Sequence, residues 1–451
     1  MDLLKDKITT LYLKFLWPSL FSAMVTTVYS FVDTVAIGQG VGPNGAAAGA
    51  IVFPILGVAS LFGFLGGIGG SVRFGKAQGE GAMEKANAYY TASFLLTLIL
   101  TIIVWPLTTV FKEEVFTLFG ANETLIPLVL EYGNWIIWTF PFFIFSAYLA
   151  CMVRCDGAPN FAMWAVIIGG VFNVFGDWFL VFPMNMGMAG AAIATAGGTV
   201  IQTIILCTYL FTKKCKLRFV KPWKFLKTLW KSVTSGFSAS VLEFAFIVLT
   251  CILNNQIMRY GGEVPLAVFS VVLSCSGMFQ HIFTGVGQAI QPIITNNYGA
   301  GQMKRISQLQ RISIGTVIAM GIVFTLSGIL FPTQIVQFFV KATPSVLEAA
   351  PNIVRTYFIS FLFMGINIWA TFYFQAIMRT RISSVLTLLR GVIVSAILLY
   401  LLPFWLGLNG VWWAIVLTEF IVTVITISCI TMINEKIHQK RTAIPRNGGI
   451  L

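Results

Sequence analysis

Charged residues are scarce in this chain. Of its 451 residues, only 10% are Asp, Glu, Lys or Arg, whereas 57% are hydrophobic and the mean hydropathy is +0.86. A soluble globular domain carries about 25% charged residues. The composition therefore excludes a soluble enzyme or binding domain and indicates an integral membrane protein.

Residues that build metal centres and catalytic sets are also few. The chain has two His, His281 and His438, and its seven Cys show no C-x-x-C spacing. No set of nucleophile, base and orienting residue can be assembled from them, which argues against a membrane-embedded enzyme. We expect no enzymatic activity, no disulfide framework and no cofactor other than a coupling ion.

Long apolar runs are abundant instead. A helix needs about 20 apolar residues to cross a hydrocarbon core of about 30 Å, whereas barrel strands would alternate polar and apolar residues over about ten positions. The expected spans are 14–37, 50–74, 87–111, 133–154, 161–182, 187–211, 232–258, 265–293, 308–331, 351–378, 382–405 and 410–434. The sequence predicts an all-α polytopic membrane protein with twelve transmembrane helices.

The basic residues predict the orientation. The first segment, MDLLKDKITT, is charged and lacks a cleavage site, so we expect it to be retained on the cytoplasmic side. With that orientation only Lys112, Arg259, Lys341 and Arg355 fall outside, which places both termini in the cytoplasm. The net charge of +13 then reflects topology and anionic lipid rather than nucleic acid. We expect a monomer in a bacterial or archaeal plasma (inner) membrane.

An internal repeat relates the two halves of the chain. A shift of 220 residues aligns GEGAMEK at 79–85 with GAGQMKR at 299–305, and places Gly187 on Gly407. We predict an N-terminal lobe of six spans (1–212), a second lobe of six spans (232–434) and a cytoplasmic tail (435–451). The basic linker between them, 213–231, is expected to be a tether or an interfacial helix. Because six is even, the lobes have the same orientation, which favours alternating-access transport.

Four polar residues inside predicted spans break this symmetry. Asp33, Asn173, Asp177 and Thr195 fall at one depth in the outer leaflet, and the 220-residue shift places them on Leu253, Ile393, Ile397 and Ile415. The stretch NVFGD puts an amide and a carboxylate four residues apart on one helix face. A carboxylate in hydrocarbon costs at least about 2.5 kcal/mol. Helix capping is the alternative, but the set together favours a site for H⁺ or Na⁺, which take oxygen ligands.

The second half has candidates of its own for a coupling or substrate site. They are Glu243 in span seven and Gln280 with His281 in span eight. Arg390 is close enough to the inner end of span eleven for its side chain to reach the membrane surface. Glu419 in span twelve has no partner that the sequence identifies.

At this point the chain resembles the multidrug and toxic compound extrusion (MATE) family of secondary antiporters. The stretches that carry the resemblance are PSLFSAMVTTVYSFVDTVAIGQ, GEGAMEKA, MVRCDGAPNFAMW, NVFGD and GMAGAAIAT, in this order over essentially the whole chain. The resemblance implies a V-shaped pair of six-helix lobes that exchanges extracellular H⁺ or Na⁺ for a cytoplasmic organic molecule.

The resemblance also implies roles for single residues. Family members with a cation site in the first lobe match here at Asp33, Asn173, Asp177 and Thr195. Pro18 matches a proline linked to bending of the first helix, and Glu243 matches an acidic residue that some members use in the second lobe. The expected substrates are amphipathic, cationic drugs. The alternative is a lipid-linked precursor flippase, although such proteins usually have extra spans and a cationic cavity.

Overall fold

The computed structural model describes residues 2–221, 224–339 and 344–442. Their side chains are described except at a few helical positions, of which Glu243 is relevant below. The α-helices are α1 Ile8–Gly40, α2 Pro43–Gly79, α3 Met83–Val110, α4 Lys112–Leu118, α5 Ile126–Trp138, α6 Phe140–Cys155, α7 Pro159–Gly176, α8 Gly187–Thr208, α9 Phe225–Gly261, α10 Glu263–Gly299, α11 Met303–Leu330, α12 Pro332–Phe339, α13 Pro344–Phe358, α14 Phe361–Ala376, α15 Thr380–Leu388, α16 Val394–Leu406 and α17 Leu408–Thr442. We call α1–α8 the N-lobe and α9–α17 the C-lobe.

Each predicted span overlaps one or more helices of the structure. Among the described residues, ten helices are long and apolar enough to cross a membrane, and α5 with α6, bent by 51° at their junction, form one more. The predicted seventh span lies within α9, a helix of 37 residues. Two spans contain π-helical turns: Asp177–Val181 continues α7, and Leu389–Ile393 joins α15 to α16. The protein is an all-α polytopic membrane protein.

Glycines at equivalent turns confirm the internal repeat. Gly81 and Gly301 have φ of 75° and 70°, and Gly187 and Gly407 have φ of 54° and 56°. This left-handed backbone conformation is open to glycine and strained for other residues. The two halves therefore make the same turns at the same places, 220 residues apart.

The first helix belongs to the cores of both lobes. Leu11, Tyr12 and Phe15, near its N-terminal end, are buried in the same apolar cluster as C-lobe residues of α10 and α14. Ile37, near its other end, is buried with α2, α5 and α8 in an N-lobe cluster. Pro18 lies between these two regions, and the helix continues through it.

The lobes also meet where α2 crosses α9 and α10. A Cβ on Gly79 would overlap the carbonyl oxygen of Asn296, and one on Gly299 would overlap that of Lys76. Gly69 lies in the same way against the backbone of Ser232. Small residues allow helix backbones to approach this closely in membranes. These contacts lie toward the end of the bundle that carries the N-terminus.

Of the two expectations for the linker, its first part fits the tether rather than the interfacial helix. Residues 215–221 are not helical, and residues 225–231 are the first turns of α9. The linker N–H groups donate to N-lobe side chains: Lys216 to Asp156 Oδ2 at 2.9 Å, Arg218 to Asn87 Oδ1 at 3.0 Å and Val220 to Thr91 Oγ1 at 3.0 Å. Because these side chains supply the acceptors, the linker needs no helical hydrogen bonds and follows the N-lobe surface.

We expect Gly79→Ala to weaken the contact between α2 and α10. The added methyl group must push the helix backbones apart, at a cost of about 1–3 kcal/mol. Thermal unfolding of the purified protein in detergent measures the effect. Gly277→Ala in α10 is the control, because a Cβ there meets nothing within 4 Å. Equal melting temperatures for the two variants would show that the close approach contributes no stability.

Candidate functional site

The four residues of the predicted N-lobe site meet inside the bundle. Asp33 comes from α1, Asn173 from α7, Asp177 from the π-helical turn that follows α7, and Thr195 from α8, and all four are buried. The Thr195 hydroxyl donates to Asp33 Oδ1 at 3.0 Å and accepts from Asn173 Nδ2 at 3.0 Å. These bonds join three helices, so helix capping does not account for this set.

Tyr132 is a fifth member of the site that the sequence analysis missed. It lies in α5, is fully buried and donates its hydroxyl proton to Asp33 Oδ2 at 3.3 Å. Its oxygen also lies 3.5 Å from Thr195 Oγ1. In the sequence, Tyr132 is one of 12 tyrosines and has no distinctive neighbours, so only the fold reveals its role. We use "N-lobe site" for these five residues.

The N-lobe site has more buried acceptors than donors. Among the described residues, neither carboxylate oxygen of Asp177 has a hydrogen-bond partner, and Asn173 Oδ1 has none either, although both residues are almost fully buried. Buried polar atoms in proteins are nearly always satisfied, because an unpaired group loses its hydration without compensation. The orphaned atoms are all oxygens, and two of them belong to a carboxylate. They fit a proton or a hard cation such as Na⁺.

Asp177 points inward because it keeps the α-helical register of Asn173, to whose carbonyl oxygen its N–H donates, and the π-helical turn begins only at Asp177. Such turns insert an extra residue into a helix and occur often at functional sites. In the C-lobe the π-helical turn comes earlier, before α16 rather than at the position equivalent to Asp177. The burial pattern changes accordingly, so that Ser395 and Leu399 are buried in the C-lobe span.

This changes the predicted counterparts of the pair in α7. Ile393 and Ile397, which the constant 220-residue shift places opposite Asn173 and Asp177, are 46% and 58% exposed. They cannot occupy positions equivalent to two buried residues, so the shift is wrong within this span. Leu253 and Ile415, the counterparts of Asp33 and Thr195, are buried as expected. These four C-lobe positions are all apolar and do not form a polar site like that of the N-lobe.

The second-lobe candidates do not form one described cluster. Gln280 lines a cavity inside the C-lobe, whereas the side chain of its neighbour His281 is exposed. Glu243 lies in α9, but its side chain is outside the part of the chain that the structure describes. The structure therefore neither joins Glu243 to Gln280 nor separates them.

The cavity contains an ion pair that corrects two expectations. Arg390 does not extend to the membrane surface: its Nε donates to Glu419 Oε1 at 2.6 Å, and both side chains are largely buried. Glu419 Oε2 accepts from Asn367 Nδ2 at 2.7 Å. Glu419 thus has two partners that lie 29 and 52 positions away along the chain. We call the space lined by Ser276, Gln280, Tyr357, Arg390, Thr418 and Glu419 the C-lobe cavity.

Comparisons with known proteins agree with the duplicated helical fold. The family model described as MatE matches residues 18–179 and again 239–401, one match in each lobe. Since the two matches together cover more than half of this chain, the chain belongs to the MatE family of membrane transporters.

Relatives and solved structures are similar over nearly the whole chain. The multidrug export protein MepA of Staphylococcus saprophyticus is 23% identical over 428 residues, 93% of each chain. MepA of Staphylococcus aureus is 22% identical over 443 residues, 96% of each chain. A crystal structure of MATE in complex with MaL6 covers 97% of this chain and 98% of its own, with a TM-score of 0.89 and 21% identity.

A second solved structure is described as the outward-facing conformation of a multidrug resistance MATE family transporter of the MOP superfamily. It covers 95% of this chain and 96% of its own, with a TM-score of 0.88 and 22% identity. At these identities the structural likeness establishes the fold.

Two substitutions in the N-lobe site should differ in their effect on stability. Thr195→Val leaves Asp33 Oδ1 and Asn173 Nδ2 without their partner, which should cost about 1–3 kcal/mol. Asp177→Leu removes a buried carboxylate that has no partner, so we expect an unchanged or higher melting temperature.

Thermal unfolding without added Na⁺ measures both effects. Thr199→Val is the matched control, because the Thr199 hydroxyl bonds only to the backbone carbonyl of Thr195 one turn earlier. If Asp177→Leu lowered the melting temperature as much as Thr195→Val, Asp177 would have a structural role. The surplus of acceptors would then no longer indicate a cation site.

Proposed function

We propose that this protein is a secondary active multidrug efflux antiporter. It exports amphipathic, cationic organic compounds in exchange for H⁺ or Na⁺ by alternating access. The observation that carries the proposal is the set of buried, unpartnered oxygens of Asn173 and Asp177 beside Asp33. The names of the relatives, which are multidrug export proteins, support the class of substrate.

The coupling cation is the exchanged ion, and the N-lobe residues would hold it. Both oxygens of Asp177 and Oδ1 of Asn173 are free to accept, while Asp33 is oriented by Thr195 and Tyr132. Protonation or Na⁺ binding removes the cost of burying the carboxylate charges. The same oxygen set serves either ion, so the geometry supports both.

The first helix connects the N-lobe site with the C-lobe core. Asp33 is part of the N-lobe site, while Tyr12 and Phe15 of the same helix are packed in the C-lobe core. Pro18 lies between them, and its carbonyl oxygen accepts from the Ser22 hydroxyl at 2.8 Å. A proline in a helix removes one backbone hydrogen bond and permits bending. Ion binding at Asp33 would then shift the helix that both lobes share.

The membrane setting follows from the distribution of charge. We propose a bacterial or archaeal plasma (inner) membrane, both termini in the cytoplasm and a monomer as the transporting unit. The lobe boundary falls in linker 213–231, with lobes at 1–212 and 232–434 and a tail at 435–451. The contacts of α2 with α9 and α10 would close the cytoplasmic side. In the C-lobe, Glu243, Gln280 and His281 are proposed to contact substrate.

Neutralising either carboxylate should abolish coupling. In proteoliposomes with an imposed ion gradient, we expect Asp33→Asn and Asp177→Asn to slow efflux of a cationic dye at least about tenfold, because an amide cannot carry the proton or supply the charge for Na⁺. Gradients of Na⁺ alone and of pH alone identify the ion.

Glu123→Gln is the control, since Glu123 is an exposed acid in the same lobe. Efflux by Asp177→Asn at the wild-type rate under both gradients would show that the N-lobe site does not couple transport.

A further inference from the structure

The C-lobe cavity has the opposite polarity to the N-lobe site. Arginine has five N–H donors, and Arg390 uses only Nε, in its bond to Glu419. Its two terminal nitrogens donate to none of the described residues. Both oxygens of Glu419 are already occupied, by Arg390 and by Asn367. The four remaining guanidinium protons are thus not bonded to Glu419 in this arrangement.

Other donors line the same space. Thr418 is 2% exposed, and its hydroxyl has no hydrogen-bond partner in the described structure. The hydroxyl oxygens of Ser276 and Tyr357 lie 3.3 Å apart. The hydrogen bond between them uses one of the two hydroxyl protons and leaves the other available. Gln280 adds an amide. The wall of the cavity thus carries several donors that are not used within the described structure.

The size of the cavity limits its occupant. The centre of a water-sized sphere can reach about 40 Å³ of it. A single water molecule needs about 10–15 Å³ on this measure, so the cavity holds a few waters or one small group. A monatomic anion or the carboxylate of a larger molecule fits this space. Guanidinium and hydroxyl donors are suited to either group.

We propose that the C-lobe cavity binds one small monovalent anionic group through Arg390 and Thr418. That group is either chloride or the carboxylate of a transported compound. The carboxylate source rests on the proposed efflux function, and would extend the substrates from cations to zwitterions. The chloride source does not depend on that function.

Equilibrium binding to the purified full-length protein tests both sources without any transport measurement. Line broadening of the ³⁵Cl NMR signal reports chloride binding, with HEPES, a bulky sulfonate, as the anion of the reference buffer. Fluorescence polarisation reports binding of two rhodamine dyes that differ only in a free carboxylate against its methyl ester, measured in the same chloride-free HEPES buffer.

Two variants change the cavity without leaving a buried charge unpaired. Thr418→Val removes one hydroxyl and keeps the ion pair. The double variant Arg390→Gln with Glu419→Gln removes both charges together and retains an acceptor for Asn367. The control is Thr431→Val, an exposed position in the same helix.

Saturable chloride broadening that weakens at least about tenfold in the double variant, and less in Thr418→Val, would support free chloride as the occupant. Preference for the carboxylate dye that disappears in the double variant, with ester binding unchanged, would support the substrate group. If neither variant altered chloride broadening or the preference between the dyes, the cavity would hold only water and the proposal would be overturned. Because these readouts need no ion gradient, they can succeed or fail separately from the efflux proposal.

Discussion

The constraint on which this structure depends is the cost of a buried polar atom that lacks a partner. In the hydrocarbon region no bulk water replaces a missing hydrogen bond, so each polar side chain inside the bundle must find a protein or ligand group. Most do: Trp369 donates to Ser313, and Thr325 donates to the carbonyl of Phe358. The exceptions are therefore informative, because buried polar atoms without a partner are rare and costly.

The two sites described above differ in their unpartnered atoms. At the N-lobe site these are oxygen acceptors of Asp177 and Asn173, whereas at the C-lobe cavity they are donors of Arg390 and Thr418. A bundle with acceptors to spare attracts cations, and one with donors to spare attracts anionic groups. The duplication thus provides two lobes of similar fold whose polar sites differ in chemistry.

The sequence predicted much of this arrangement and missed identifiable parts of it. The spans, the repeat and the convergence of Asp33 with Thr195 follow from apolar length, turn glycines and depth along a helix. The pair Arg390 and Glu419 could not be found in this way, since hydrophobic periodicity says nothing about which helices face each other. Tyr132 was missed for the same reason.

The π-helical turns show where the internal repeat fails to identify equivalent residues. A constant shift assumes that both copies wind identically, yet each copy places its extra residue at a different point of the equivalent span. A single inserted residue rotates every following side chain by about 100° in a helix of 3.6 residues per turn. The turn before this span is also displaced by one residue, since the positive φ of Gly157, 96°, recurs at Met378, 61°, which lies 221 positions later. The two displacements together align the buried Asp177 with the buried Leu399 rather than with the exposed Ile397. Both lobes therefore keep the same helical fold while different residues reach the interior.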